Sequence, residues 1–105
     1  MPTLQMNTQD YLIIQKILAQ YPCYFYAYGS RIKGTAKKFS DLDLCYKEDI
    51  PAEIICRVEE EFTESDLPFV VELVKWDDMR PAFQRKIKKD LTLIFPPLTS
   101  LQLTK

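Results

Sequence analysis

"YGSRIKGTAKKFSDLDL", residues 28–44, combines a turn, a basic loop and an acidic strand in seventeen residues. A Gly-Ser turn and a basic loop lead into two aspartates, Asp41 and Asp43, which are separated by one apolar residue. Because side chains alternate faces along a strand, a strand here turns both aspartates to one face and Leu42 and Leu44 to the other. The pattern therefore predicts a half-buried strand that presents two carboxylates on its polar face.

The length and composition of the chain are those of one soluble domain. Its 105 residues suffice for a single core, and a hydrophobic content of 47% with a net charge of -1 is ordinary for a globular protein. The charge gives no overall attraction to nucleic acid, and no run approaches the about 20 apolar residues of a membrane span. The N-terminus lacks a basic segment followed by an apolar one. We predict a cytoplasmic protein with no membrane partner and no direct nucleic-acid partner.

The cysteines and the absence of histidine restrict the possible chemistry. Cys23, Cys45 and Cys56 share no C-x-x-C spacing, so we expect free thiols rather than a zinc site or a disulfide framework. The sequence contains no histidine, which excludes Ser-His and Cys-His nucleophilic catalysis and histidine-ligated metals. Catalysis in this chain must use carboxylates, lysines, hydroxyls and backbone groups.

Hydrophobic periodicity and capping residues predict helices and strands in the order α-β-β-α-β-α. The predicted strands cover residues 23–28, 40–46 and 69–75, and the first helix and a helical turn cover 7–20 and 30–36. The second helix is capped by Asp49 or Ile50, has Pro51 in its first turn and buries an apolar face of Ile55, Val58 and Phe62. The last helix runs from Asp77 or Asp78 to about 90, with Met79, Phe83 and Ile87 inward. This order predicts an α+β sandwich with a small mixed sheet flanked by helices.

We expect one domain over 1–105, with a core over about 8–91 and a C-terminal tail over 92–105. The tail is apolar but is interrupted by Pro96 and Pro97. Two possibilities remain open for it: it packs as an extended segment, or it forms a docking surface.

A third acid lies inside an apolar run. Glu72 occupies the predicted strand over 69–75, where a carboxylate is costly unless it is paired. If this strand lies beside the strand of Asp41 and Asp43, three carboxylates converge. Three hard oxygen ligands without histidine suit Mg²⁺ or Mn²⁺. The alternatives are an acidic outer face of the sheet and an edge-strand charge that discourages aggregation.

The Gly-Ser turn is a candidate phosphate-binding element. Gly29 follows a strand, can adopt a positive φ and lets a ligand approach the backbone. Ser30 begins a helical turn whose unpaired N–H groups favour phosphate oxygens. Arg31 and Lys33 are candidates for phosphate contacts, and the alternative for each is a solvated loop cation.

Taken together, these features resemble a known family. Gly29-Ser30, the ten residues 31–40, Asp41-x-Asp43 and a strand acid about thirty residues later resemble the nucleotidyltransferase superfamily that includes DNA polymerase beta. "GSRIKG…SDLDL" is similar to the minimal nucleotidyltransferases, the MntA-type antitoxins of HEPN-domain toxins. The resemblance covers roughly residues 8–91.

The resemblance implies roles for the site residues. Gly29 and Ser30 would hold the β- and γ-phosphates of a nucleoside triphosphate, with ATP as the substrate. Asp41 and Asp43 would bind two Mg²⁺ ions, and the third acid, Glu72, would help the metal that activates the attacking hydroxyl. The family usually has Asp at this third position, so the longer Glu72 side chain is a departure that bears on the nucleophile-side metal.

The resemblance also implies a partner: a HEPN-domain ribonuclease toxin that is neutralised by adenylylation of a tyrosine hydroxyl. A second hypothesis is a binding module of the same fold that neutralises its partner by occlusion. A third, a small-molecule nucleotidyltransferase of the aminoglycoside type, is disfavoured because a single core leaves no room for an acceptor domain. The basic residues of the last helix, Arg85, Lys86, Lys88 and Lys89, are either a docking or RNA-facing surface or a solvated face.

Overall fold

The computed structural model describes residues 3–96 and 102–104. The elements, in chain order, are β1 (Thr3–Gln5), α1 (Thr8–Leu18), β2 (Phe25–Tyr28), α2 (Ser30–Lys33), β3 (Leu42–Tyr46), α3 (Ala52–Glu64), β4 (Val71–Lys75), a 3₁₀ turn (Trp76–Asp78), α4 (Pro81–Ile87), a second 3₁₀ turn (Lys88–Asp90), β5 (Thr92–Phe95) and β6 (Gln102–Thr104). No helix within the described residues is long and apolar enough to cross a membrane.

The centre of the fold is a four-stranded mixed sheet with the strand order β4-β3-β2-β5. Strands β3 and β4 are parallel, whereas β2 runs antiparallel to both β3 and β5. β1 and β6 form a separate parallel pair. The predicted α+β architecture, a small mixed sheet flanked by helices, is confirmed.

One face of the sheet is covered by α1 and α3 and forms the main core. Leu42 and Leu44 of β3 are fully buried in it, as their alternation with the aspartates predicts. Val58 and Phe62 are buried on α3. Burying a side chain of this size contributes about 1.5–3 kcal/mol, so these positions hold β3 firmly in the sheet.

The opposite face, which carries Asp43, is covered only in part. A smaller cluster there joins Tyr28, Cys45, Met79 and Ile87, and it attaches α4 to the sheet. Phe83 packs toward the sheet as predicted, because its ring meets the Tyr28 ring edge-on at 5.9 Å, and 40% of the side chain stays exposed.

Several predicted boundaries differ from the observed ones. β3 begins at Leu42, so Asp41 lies just before the strand rather than within it. Pro51 precedes α3 as its N-cap instead of occupying its first turn. The last predicted helix is interrupted at Met79, whose extended backbone (φ -83, ψ 144) ends the first 3₁₀ turn.

The C-terminal region contributes a strand that the sequence patterns missed. Residues 92–95 form β5 at one edge of the central sheet, where Leu93 pairs with Tyr26 and Thr92 with Ala27. The first part of the predicted tail therefore packs as an extended segment, while residues 97–101 and 105 lie outside the described residues. β1 was also missed, because three residues are too few for periodicity to identify a strand.

Candidate functional site

Three side chains form a row across the central sheet. Tyr28 of β2 pairs in register with Asp43 of β3, and Asp43 pairs with Glu72 of β4. Residues directly opposite each other on neighbouring strands share a face, so the carboxylates of Asp43 and Glu72 are neighbours. The expected adjacency of the two acid-bearing strands is confirmed.

The row carries negative charge without a matching cation. Partial burial, the charge of Glu72, the charge of Asp41 and a hydrogen bond with Glu72 together raise the pKa of Asp43 to about 6. Within the described residues the one ion pair is that of Lys75 with Asp49, away from this carboxyl. Two close carboxylates in a partly desolvated setting are a donor set that a divalent cation fits, because its charge removes the repulsion.

Asp41 stands at the solvent side of this pair. It is exposed and lies just before β3, at the point where Leu42 N–H donates to the carbonyl of Val70 at 2.9 Å. Among residues 3–96 and 102–104, no three acidic, cysteine or histidine side chains are already gathered around one point. The carboxylates thus come as a close pair, Asp43 and Glu72, with Asp41 at the edge.

Gly29 ties the Gly-Ser turn to the carboxylates. Its φ is 85°, a conformation that side-chain-bearing residues rarely adopt. A Cβ placed on Gly29 would lie 2.5 Å from Oδ2 of Asp43. The Asp43 carboxylate therefore rests directly against the backbone of the turn, and a side chain at this position would fill the space it occupies.

Ser30 and Lys33 begin and end the short helix α2, which follows directly from this turn. The carbonyl of Ser30 accepts a hydrogen bond from the N–H of Thr35 at 3.1 Å, which closes α2 against the start of the basic loop. Lys33 is exposed on this helix. Ser30 follows Gly29 directly, and Lys33 lies one helical turn further along the chain.

The structure does not bring Arg31 to this site. Its side chain is only 5% exposed, and its guanidinium lies 4.0 Å over the ring of Phe69. The guanidinium donates hydrogen bonds to the carbonyls of Ser40 at 3.1 and 2.9 Å, Gln5 at 2.8 Å and Lys38 at 3.2 Å. Arg31 is thus not a solvated cation: its guanidinium is held by these carbonyls and fastens the loop over 31–40 to β1.

Tyr28 is a site residue that the sequence patterns missed. Only 7% of it is exposed, and burial together with the nearby Asp43 raises its pKa to about 12, so it remains a neutral phenol. Tyr28 lies at the β2 end of the row of Tyr28, Asp43 and Glu72, and the exposed Glu72 lies at its β4 end. Because side chains alternate along β2 and Phe25 is in the main core, the sequence predicts that Tyr28 lies on the opposite face of the sheet. Its position beside Asp43 depends on the register between β2 and β3, which the sequence does not give.

The comparisons with known proteins agree with this geometry. The family model described as "Polymerase beta, Nucleotidyltransferase" matches residues 13–97, a range that contains β2, β3, β4 and every residue of the carboxylate row. The chain belongs to this nucleotidyltransferase family and is a nucleotidyltransferase.

Within the family it is a minimal nucleotidyltransferase of the MntA type. Over 95 residues it is 39% identical to the "Probable protein adenylyltransferase MntA" of Haemophilus influenzae (strain ATCC 51907 / DSM 11121 / KW20 / Rd). The match covers 87% of this chain and 83% of that protein. The resemblance identified from the sequence is confirmed at this level.

Proposed function

We propose that this chain is a Mg²⁺-dependent protein adenylyltransferase that transfers AMP from ATP to a tyrosine hydroxyl of a HEPN-domain toxin, and that it acts in the cytoplasm as the antitoxin. The observation that carries the proposal is the pairing of Asp43 with Glu72, with the Asp43 carboxylate lying against the backbone of Gly29. The name of the Haemophilus relative supports an adenylyl donor and a protein acceptor.

Asp41, Asp43 and Glu72 are the residues that would hold Mg²⁺. Burial first, and then the charges of Glu72 and Asp41, raise the pKa of Asp43, and a bound cation would relieve both effects. When bound, the ion neutralises triphosphate charge and makes the acceptor hydroxyl more acidic. Glu72 is the exposed member of the close pair and therefore the one that faces an incoming acceptor.

Gly29 and Ser30 would hold the β- and γ-phosphates. A glycine at this position lets phosphate oxygens reach the backbone, and the first N–H groups of α2 are the donors that follow it. Lys33 is the exposed cation of the same segment and is our candidate for a phosphate contact. Arg31 supports them indirectly by holding the loop over 31–40 in place.

The transfer itself exchanges one phosphorus–oxygen bond for another. The tyrosine oxygen forms a bond to the α-phosphorus, the bond from that phosphorus to the β-phosphate oxygen breaks, and pyrophosphate leaves while the hydroxyl proton passes to solvent. Positioning and charge neutralisation supply most of the rate enhancement in such a reaction. Nothing more than carboxylates, backbone donors and a cation is required, which agrees with a sequence that has no histidine.

Labelled ATP tests the proposal. The chain is incubated with its proposed HEPN-domain partner, with ATP labelled on the α-phosphate, and with either Mg²⁺ or EDTA. We expect Mg²⁺-dependent label on a tyrosine of the partner, and we expect Asp41→Ala plus Asp43→Ala to abolish it. The matched control is Asp77→Ala plus Asp78→Ala, which removes two exposed acids outside the sheet and should preserve the label.

Two results would contradict the proposed function, and each indicates a different alternative. If the unmodified chain neutralises its partner without any label, it acts as a binding module by occlusion. If the Asp41/Asp43 double variant still labels the partner, AMP transfer occurs at another site.

A further inference from the structure

β4 forms an edge of the central sheet, and its outer side pairs with no other strand among residues 3–96 and 102–104. The bond from Leu42 N–H to the Val70 carbonyl, with Leu42 in register with Val71, fixes which groups face outward. In a parallel pair, alternate residues direct both backbone groups to the same neighbour. Residues 70, 72 and 74 therefore face β3, and Val71, Leu73 and Lys75 direct their N–H and C=O groups away from it.

A strand added to this edge would extend the row of Tyr28, Asp43 and Glu72 by one residue. Side chains opposite each other on adjacent strands have Cβ atoms about 4.5–5.5 Å apart. One residue of the added strand would therefore stand directly beside the exposed carboxylate of Glu72. The residues before and after it would point to the opposite face of the sheet.

That opposite face offers an apolar cavity of about 350 Å³ between α3 and the start of β4. Its lining residues are Phe39, Phe62, Thr63, Leu67, Pro68, Phe69, Val70 and Val71. Phe39 and Val70 are 65% and 61% exposed, which is unusual for large apolar side chains that lie together. Phe62, Phe69 and Val71 of this lining belong to the main core, so the cavity opens on the core face, toward which the neighbours of a residue facing Glu72 would project.

The charge around this edge is mainly negative. Asp41, Glu64, Asp66 and Glu72 are exposed acids close in the chain to the edge or to the cavity lining. Lys75, the basic residue of β4, is paired with Asp49 at 2.5 Å, and the exposed lysines next to the cavity residue Phe39 are Lys37 and Lys38, fewer than the four acids. An occupant of this edge would therefore be complementary if it carried positive charge.

We propose that the acceptor protein docks by adding an extended segment to β4. The segment would place its acceptor hydroxyl beside Glu72, insert a neighbouring apolar side chain into the cavity, and carry basic residues that match the acidic edge. Backbone hydrogen bonds to Val71, Leu73 and Lys75 would set the register, as in other cases of strand addition. This proposal rests on the proposed function, because it describes how the acceptor of that reaction is presented.

Val71→Pro, with Val71→Ala as its matched control, tests the backbone contacts. Both variants alter the same side chain, but only proline removes the outward N–H, and neither change removes a bond to β3. We expect Val71→Pro to transfer AMP to the partner about tenfold more slowly than Val71→Ala, which corresponds to the net worth of about one hydrogen bond. ATP binding by the two variants should be equal. Equal transfer rates in two folded variants would overturn the proposal.

Amide hydrogen exchange of the unmodified chain, followed by NMR, gives a second test that does not depend on the folding of a variant. With the partner and a non-hydrolysable ATP analogue, the amides of Val71, Leu73 and Lys75 should exchange about tenfold or more slowly than in the free chain. The amides of Glu72 and Val74, which face β3, should be protected in both states. They serve as internal controls.

The outcomes separate this proposal from the proposed function. Absence of AMP transfer by the unmodified chain overturns the proposed function, and this proposal with it. Normal transfer with unchanged exchange at Val71, Leu73 and Lys75 overturns only the strand addition. Protection that arises without the partner and increases with the concentration of the chain identifies a second copy at this edge and also overturns it.

Discussion

Replacement of Asp43 by asparagine should abolish catalysis and yet stabilise the metal-free protein. The pKa of this carboxyl rises from 3.8 to about 6 on folding, because of partial burial and the charges of Glu72 and Asp41. At about 1.36 kcal/mol per unit, this shift corresponds to about 3 kcal/mol of destabilisation at neutral pH. Since solvent screens a carboxyl that is only half-buried, we expect about 1–1.5 kcal/mol in practice.

The sign of the effect follows from the direction of the shift. A carboxyl whose pKa is raised by folding retains its proton in the folded state after the unfolded chain has lost it. The unmodified protein therefore loses stability as the pH rises from about 4 to about 6, and the loss persists above that range. The asparagine side chain does not titrate, so Asp43→Asn should be more stable than the parent at pH 7.5 and almost equal to it at pH 4.

Thermal unfolding followed by circular dichroism in EDTA measures this difference. For a domain of this size, about 1 kcal/mol shifts the Tm by about 4–8 °C, so Asp43→Asn should melt about 5 °C or more above the parent at pH 7.5. Saturating Mg²⁺ should raise the Tm of the parent and leave that of the variant unchanged, because only the parent retains the site. Asp66→Asn, which alters an exposed acid outside the row, is the control and should change neither value.

Two results would contradict the predicted stabilisation by Asp43→Asn. One is a Tm for Asp43→Asn at or below that of the parent in EDTA at pH 7.5. The other is a stabilisation of the same size at pH 4, which would show that the gain does not come from the carboxylate charge.

Gly29→Ala and Gly34→Ala should each lower the free energy of unfolding by about 1–2 kcal/mol in chemical denaturation, since both glycines have positive φ. Only Gly29→Ala should weaken Mg²⁺ binding measured by calorimetry, because its Cβ would meet Asp43 while that of Gly34 has open space. An equal loss of Mg²⁺ binding in both variants would contradict the proposed contact. Arg31→Lys should lower the free energy of unfolding by about 2–3 kcal/mol in a urea titration, because one ammonium cannot replace the guanidinium bonds to three carbonyls. The ATP affinity of the folded fraction should stay unchanged. A large loss of ATP affinity with normal stability would identify Arg31 as a phosphate contact. Glu72→Asp should retain the fold and give AMP transfer equal to or faster than the parent in a single-turnover assay, and unfolding of this variant would point to a purely structural Glu72.

The sequence predicted the elements whose signals are local. The Asn7 side chain accepts a hydrogen bond from the Asp10 N–H at 2.8 Å and begins α1 where the capping pattern predicts. Leu42 and Leu44 are buried because strict alternation allows one outcome for a strand with a single core face. Asp43 and Glu72 were identified as acids in apolar strands, and only the order of the strands had to be supplied by the fold.

The features that could not be predicted depend on contacts distant in sequence. Arg31 looked like one of several loop cations because its carbonyl partner on Gln5 lies outside any local pattern. Tyr28 belongs to the site through strand register alone. β5 was missed because the two prolines that follow it resemble the sequence of an irregular tail, whereas pairing with β2 makes residues 92–95 part of the sheet.

We propose that AMP transfer to a protein hydroxyl occurs at the Asp43–Glu72 pair. Intact-protein mass spectrometry of the proposed HEPN-domain partner, after co-expression with either the unmodified chain or Asp43→Asn, tests this directly. We expect a mass increase of one or more AMP units on the partner with the unmodified chain and none with the variant. An unmodified partner in the first case, or the same modification in both, would contradict it.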